Sequence, residues 1–122
     1  MLPQGVADSI GQYRFIAFDV ETASIDAHSI CQVGLACVDH FGRIDTFSLL
    51  VNPRCAFSAF NTQLHGIKAS MTDDAPDFAE VLLALFPLMA AQPIVQHSTF
   101  DQRAVNAAAG QYGLDAPPFA WV

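Results

Sequence analysis

The chain has 122 residues, 52% of them hydrophobic and only 14% charged, with a formal net charge of −7. Ordinary globular domains are about 25% charged, so this composition excludes a disordered chain and leaves room for one domain, residues 1–122. The acidic balance excludes tight nonspecific duplex binding, which calls for a basic excess, but is compatible with a phosphate substrate bridged by cations.

Residues 1–11 carry no basic segment followed by an apolar run, so no secretory leader is read there, and they are expected to form a flexible lead-in. Residues 13–18 (YRFIAF) predict a buried strand that ends in the polar stretch Asp19-Val20-Glu21-Thr22. Residues 29–38 (SICQVGLACV) predict a second strand, with Cys31, Val33, Leu35 and Cys37 on one face by period two. His40-Phe41-Gly42-Arg43 reads as a turn into a third strand, residues 44–51, so strands two and three form an antiparallel hairpin. Residues 55–74 read as irregular or as short helical turns. A helix is expected from Pro76, with Phe78, Val81, Leu82, Leu85 and Met89 at helical spacing and Pro87 kinking or ending it. Residues 93–97 (PIVQH) predict a short fourth strand, parallel to the first because a helix lies between them. A last helix follows over 98–109, with Gly110 or Gly113 as its stop. The final apolar residues, Pro117 to Val122, read as the opening of another strand.

The three cysteines, Cys31, Cys37 and Cys55, have no zinc spacing. An odd count without a leader reads as reduced thiols in the cytoplasm. The longest apolar run, residues 81–91, is too short for a membrane span, which needs about 20 residues, so no membrane partner is read.

Asp19 and Glu21 are two apart at a strand end, so both side chains leave on one face. Carboxylates held this close resist joint ionisation unless a cation lies between them. On spacing alone, a polar strand end with two solvated acids remains the favoured reading. Asp101 has a local explanation as well: Ser98-Thr99-Phe100-Asp101 fits a capping box with Ser98 as N-cap, and an acid there suits the helix dipole. Yet a helix that follows a strand parallel to the first also begins at the carboxyl edge of the sheet, where ligands of open α/β sheets collect. His65 is an ordinary loop histidine by itself. His97 reads as a structural residue that holds its loop by hydrogen bonds, and Lys68 and Arg103 as surface cations.

Four segments in order resemble the DEDD superfamily of 3′→5′ exonucleases, in its histidine-type branch, similar to polymerase III proofreading subunits and ribonuclease T. They are residues 15–22 (FIAFDVET), 29–34 (SICQVG), 64–67 (LHGI) with 74–81 (DAPDFAEV), and 94–101 (IVQHSTFD). The resemblance implies an α/β fold with a ribonuclease H-like mixed sheet of order 3-2-1-4, strand two antiparallel to its neighbours. It implies hydrolysis of single-stranded nucleic acid from the 3′ end, DNA before RNA, with two Mg²⁺ or Mn²⁺ ions. Asp19, Glu21 and Asp101 would be both the metal ligands and the catalytic residues. Thr22 and Ala23 would offer backbone or hydroxyl contacts to the terminal nucleotide, and His65 and Phe100 would line its pocket. A DNA polymerase is the implied partner.

The family's third motif, H-x-x-x-x-D, has no match in these residues. They are therefore expected to be the first two-thirds of a domain that stops short of its fifth strand, nearly inactive alone. The rival reading is a degenerate, non-catalytic interaction module. Ser98 and Ala23 stand where the family usually has Asn and Thr.

Overall fold

The structure is a computed structural model that describes residues 1–122. Its frame is a four-stranded sheet of β1 (Tyr13–Thr22), β2 (Ile30–Asp39), β3 (Ile44–Leu50) and β4 (Ile94–Val95), in the order β3-β2-β1-β4. β2 runs antiparallel to β1 and β3, and β4 is parallel to β1. This is the expected mixed sheet. Five helices complete the chain: α1 (Gln4–Ala7), α2 (Ala59–His65), α3 (Ala69–Thr72), α4 (Phe78–Met89) and α5 (Phe100–Gln111). None is long and apolar enough to cross a membrane.

The two faces of the sheet differ. On one, Ile16, Phe18 and Val20 of β1 and Val33, Leu35 and Cys37 of β2 form a single core with Val81, Leu85 and Leu88 of α4 and Ala104, Val105 and Ala108 of α5. Each large side chain buried there contributes about 1.5–3 kcal/mol. The small alanines of α5 let its backbone approach the sheet closely. On the other face Ala17, Asp19, Gly34, Ala36, Thr46 and Ser48 floor an open trough of about 840 Å³.

Several expected boundaries move. β1 runs four residues further, because Asp19, Val20 and Glu21 keep pairing with Gly34, Val33 and Gln32 of β2. Val20 and Thr22 point into the protein while Asp19 and Glu21 face outward, so the polar stretch is a half-buried strand. β4 is only two residues long. α4 starts at Phe78, its N-cap Asp77 accepting the Glu80 N–H at 3.0 Å. Pro87 does not end α4, which runs on to Met89. The carbonyl that Pro87 leaves without a donor belongs to Leu83, which is 78% exposed and so open to water. The stop after α5 is Gly113, left-handed at φ 70°, with the Leu114 N–H donating to the Ala109 carbonyl at 3.0 Å. The first eleven residues, read as a lead-in, include α1, whose Val6 is buried in the core. Ile94 bridges in parallel to Trp121, so the last residues lie along the free edge of β4.

Candidate active site

The early end of β4 creates the site. Along the β4 side of β1, alternate N–H groups need acceptors. That of Ile16 finds the Pro93 carbonyl at 3.0 Å, but past Val95 the neighbouring strand has ended. The Val20 N–H is taken instead by Asp101 Oδ1, at 3.0 Å and across 81 residues of sequence. Asp101, in the first turn of α5 and 4% exposed, thereby substitutes for a missing strand residue and comes to rest beside Asp19.

The capping box expected at Ser98 does not form. Thr99 holds the N-cap position without a side-chain cap bond. Ser98 Oγ accepts the Phe100 N–H at 3.3 Å, and Gln96 Oε1 accepts that of Gln102 at 2.9 Å. With the helix end served by these two residues, Asp101 is free to face β1.

Asp101 and Glu21 both hold their protons more tightly than ordinary carboxyls. For Asp101 the main cause is burial; the Val20 N–H opposes it, and Asp19, within side-chain hydrogen-bond reach, reinforces it. For Glu21 burial again leads, with repulsion from Asp19 added and His65 opposing. Asp19 is thus the shared neighbour of two acids. No three metal-ligating side chains converge on a single point; the arrangement is two carboxylate pairs with Asp19 common to both. All the donors are hard oxygens, the ligand set that Mg²⁺ and similar cations take. Acids that repel one another and form no salt bridge fit such ions.

The remaining expected residues divide. The ladder is irregular between Glu21 and Thr22, and the Thr22 carbonyl accepts from His65 Nε2 at 2.9 Å and from Asn61 Nδ2 at 3.1 Å. Ala23, expected to touch a nucleotide, is fully buried; its N–H donates to Ser29 and its carbonyl accepts from Ser58, so neither backbone group is free. Phe100 stays partly open at the start of α5, with the Arg103 guanidinium 5.5 Å from its ring centre. His97 lines the trough beside Asp19 and makes none of the side-chain hydrogen bonds expected of it. Asn61 was not read as part of the site. Its signal was its position four residues before His65, which puts both on one face of a helix.

Comparison with known proteins agrees with this geometry. The RNase_T family model, described as exonuclease, matches residues 16–117. A DNA polymerase III PolC-type protein of Caldanaerobacter subterraneus subsp. tengcongensis is 31% identical over 113 residues, 90% of this chain but 8% of that protein. Among solved structures, a 3′-exonuclease described in 3′-end specific recognition of a histone mRNA stem-loop superposes with a TM-score of 0.78 at 26% identity, covering 94% of this chain and 60% of the other. Exonuclease X, in complex with 5′ overhanging duplex DNA, superposes at 0.69 over 88% of this chain and 58% of its own; at 23% identity that likeness concerns the fold alone.

Proposed function

The chain belongs to the RNase_T family of exonucleases, within the DEDD superfamily, and from that premise we propose that it hydrolyses single-stranded nucleic acid from the 3′ end, DNA before RNA, with two divalent cations. The observation that carries this reading is the Asp101–Val20 hydrogen bond, which brings an acid from 81 residues away to Asp19, itself the neighbour of Glu21.

Two Mg²⁺ or Mn²⁺ ions bound there would supply an activated water and stabilise the departing 3′ oxygen. Asp19, the neighbour of both other acids, would be a ligand common to the two ions. Glu21, near the outer end of β1, would hold the ion on the side of the attacking water. Asp101, held by the Val20 N–H, would hold the ion on the side of the leaving oxygen. The exposed part of the Phe100 ring offers a stacking face that tolerates any base. The motif H-x-x-x-x-D, which in the resembling family supplies the general base, has no match in these residues, and such help is worth about 10²–10⁴-fold, so we propose that these 122 residues cleave slowly by themselves. Similarity to a polymerase III protein supports a polymerase as partner. Three free cysteines support the cytoplasm as location.

The test uses 5′-labelled single-stranded DNA and RNA, with protein in excess over substrate and with or without Mn²⁺. Mn²⁺-dependent laddering from the 3′ end is expected, reduced at least about 10²-fold in Asp19→Asn, as befits a group that stabilises developing charge. Laddering unchanged in Asp19→Asn would overturn the assignment.

A further inference from the structure

α2 is attached to the sheet in an unusual way. None of its seven residues is buried, so apolar packing does not place it. Its ends are held by the Ser58 N–H on the Ala23 carbonyl and by buried Ile67; between them two side chains one helical turn apart, Asn61 and His65, tie it to β1. Asn61 Nδ2 lies 3.1 Å from the Thr22 carbonyl, 3.4 Å from Thr22 Oγ1 and 3.2 Å from the Ser24 carbonyl. His65 Nε2 lies 2.9 Å from the same Thr22 carbonyl.

The protonation pattern of His65 follows from its other nitrogen. The Ile67 N–H donates to Nδ1 at 3.0 Å, so Nδ1 carries a lone pair. In a neutral imidazole the proton then sits on Nε2, where it is donated to Thr22. Gly66 permits this return: its left-handed φ of 77° turns the chain so that Ile67 faces back onto the ring, and Ile67 is anchored in a small core with Ala23 and Cys31. The Cys31 sulfur, 4.0 Å from Nε2, belongs to a buried thiol pushed up to about 12, mainly by burial, so no thiolate competes for the proton.

Both ring nitrogens are therefore committed to backbone, and none remains to bind a nucleotide. We propose that Asn61 and His65 are positioning residues that clamp the Thr22 carbonyl and so fix the end of β1, and with it the Glu21 carboxylate, for cation binding. The clamp sits where it is needed. β1 and β2 lose register just past Glu21, between Glu21 and Thr22, so Glu21 is the last residue held by the regular ladder, and an unpaired Thr22 carbonyl would let the strand end fray back towards it. The proposal rests on the nuclease reading above for the purpose of Glu21, but not for the hydrogen bonds themselves.

The substitutions separate the two contacts. Gln at position 65 can reach as far as Nε2 and keep a donor for Thr22, whereas Asn can reach only as far as Nδ1 and keep an acceptor for Ile67. Mn²⁺ affinity, measured by calorimetry on protein shown to be folded by its thermal transition, is expected to fall about 10–100-fold in His65→Ala and Asn61→Ala, the range for groups that orient metal ligands. His65→Gln is expected to recover most of that loss, and His65→Asn little of it. A substrate-contacting His65 would instead raise KM and leave Mn²⁺ affinity unchanged, which overturns the clamp. Long-range ¹H–¹⁵N NMR of the unsubstituted protein is expected to show the neutral form of His65 with its proton on Nε2; a neutral form with its proton on Nδ1 also overturns it. Asp19→Asn is the separate control. If it leaves Mn²⁺ affinity intact, the nuclease reading fails, and the tautomer of His65 still decides whether the clamp exists.

Discussion

Asp101 has two separable duties, and substitution can separate them. Its Oδ1 accepts a backbone N–H in a buried setting, and its charge is what the proposed cation site would use. Asp101→Asn keeps an acceptor oxygen for Val20 and removes the charge. Asp101→Ala removes both and leaves the Val20 N–H unpaired, a loss of about 1–3 kcal/mol. Chemical denaturation is therefore expected to find Asp101→Asn at least as stable as the parent and Asp101→Ala destabilised by that amount, while calorimetry finds Mn²⁺ binding impaired in both. Equal stability of the two variants would show that the hydrogen bond does not hold the site together. This duality is also why the residue was hard to read. S-x-x-D before a helix has the same appearance whether the acid caps its own helix or reaches to a neighbouring strand. The deciding fact, the early end of β4, lies in the sheet. Asp19 and Glu21 were easier, since period-two spacing alone fixes that they share a face.

Elements were legible where burial was one-sided and less so where polarity and pairing disagreed. The alternation of β2 was plain because Val33, Leu35 and Cys37 all face the core. β1 was cut short because Asp19 and Glu21 are polar; yet they alternate with buried Val20 and Thr22, and a strand over an uncovered face should look like that. Pro87 misled in the other direction. Its missing N–H falls in the last turn of α4, opposite a carbonyl that water can reach, so the helix tolerates it at reduced stability. Proline is about 3 kcal/mol worse than alanine in a helix interior, less at a solvated end, and its stiffening of the unfolded chain returns about 0.4–1 kcal/mol. Pro87→Ala is accordingly expected to stabilise the fold by roughly 1 kcal/mol, about 4 °C in Tm, without touching the site. A fall in Tm on calorimetric melting would mean that the ring itself packs usefully.

At the scale of the whole molecule, the acids of the site and the net charge of −7 act in the same direction. The ion pairs present, Arg43–Asp45 and Arg54–Asp77, involve none of the three site acids, which are left to repel one another at the end of a one-sided sheet. The sequence announces the acidic excess but not where it gathers, because the gathering is set by strand order and by a helix that arrives from 81 residues away. The consequence for stability has a definite sign. Glu21 and Asp101 bind protons more tightly folded than unfolded. Their contribution to stability is full below the ordinary carboxylate range and is lost as pH rises through that range and on through their raised folded values. On the proposed function a divalent cation would reverse the loss, binding the ionised carboxylates of the folded state and stabilising it by mass action. Melting curves across the acid-to-neutral range are thus expected to show Tm declining with pH in chelator, and the decline flattened both by saturating Mg²⁺ and by the double substitution Glu21→Gln with Asp101→Asn. Mg²⁺ should add nothing to the doubly substituted protein. If it still raised Tm there, the cation would be acting at some other place on the molecule, and the two carboxylate pairs that share Asp19 would not be its site.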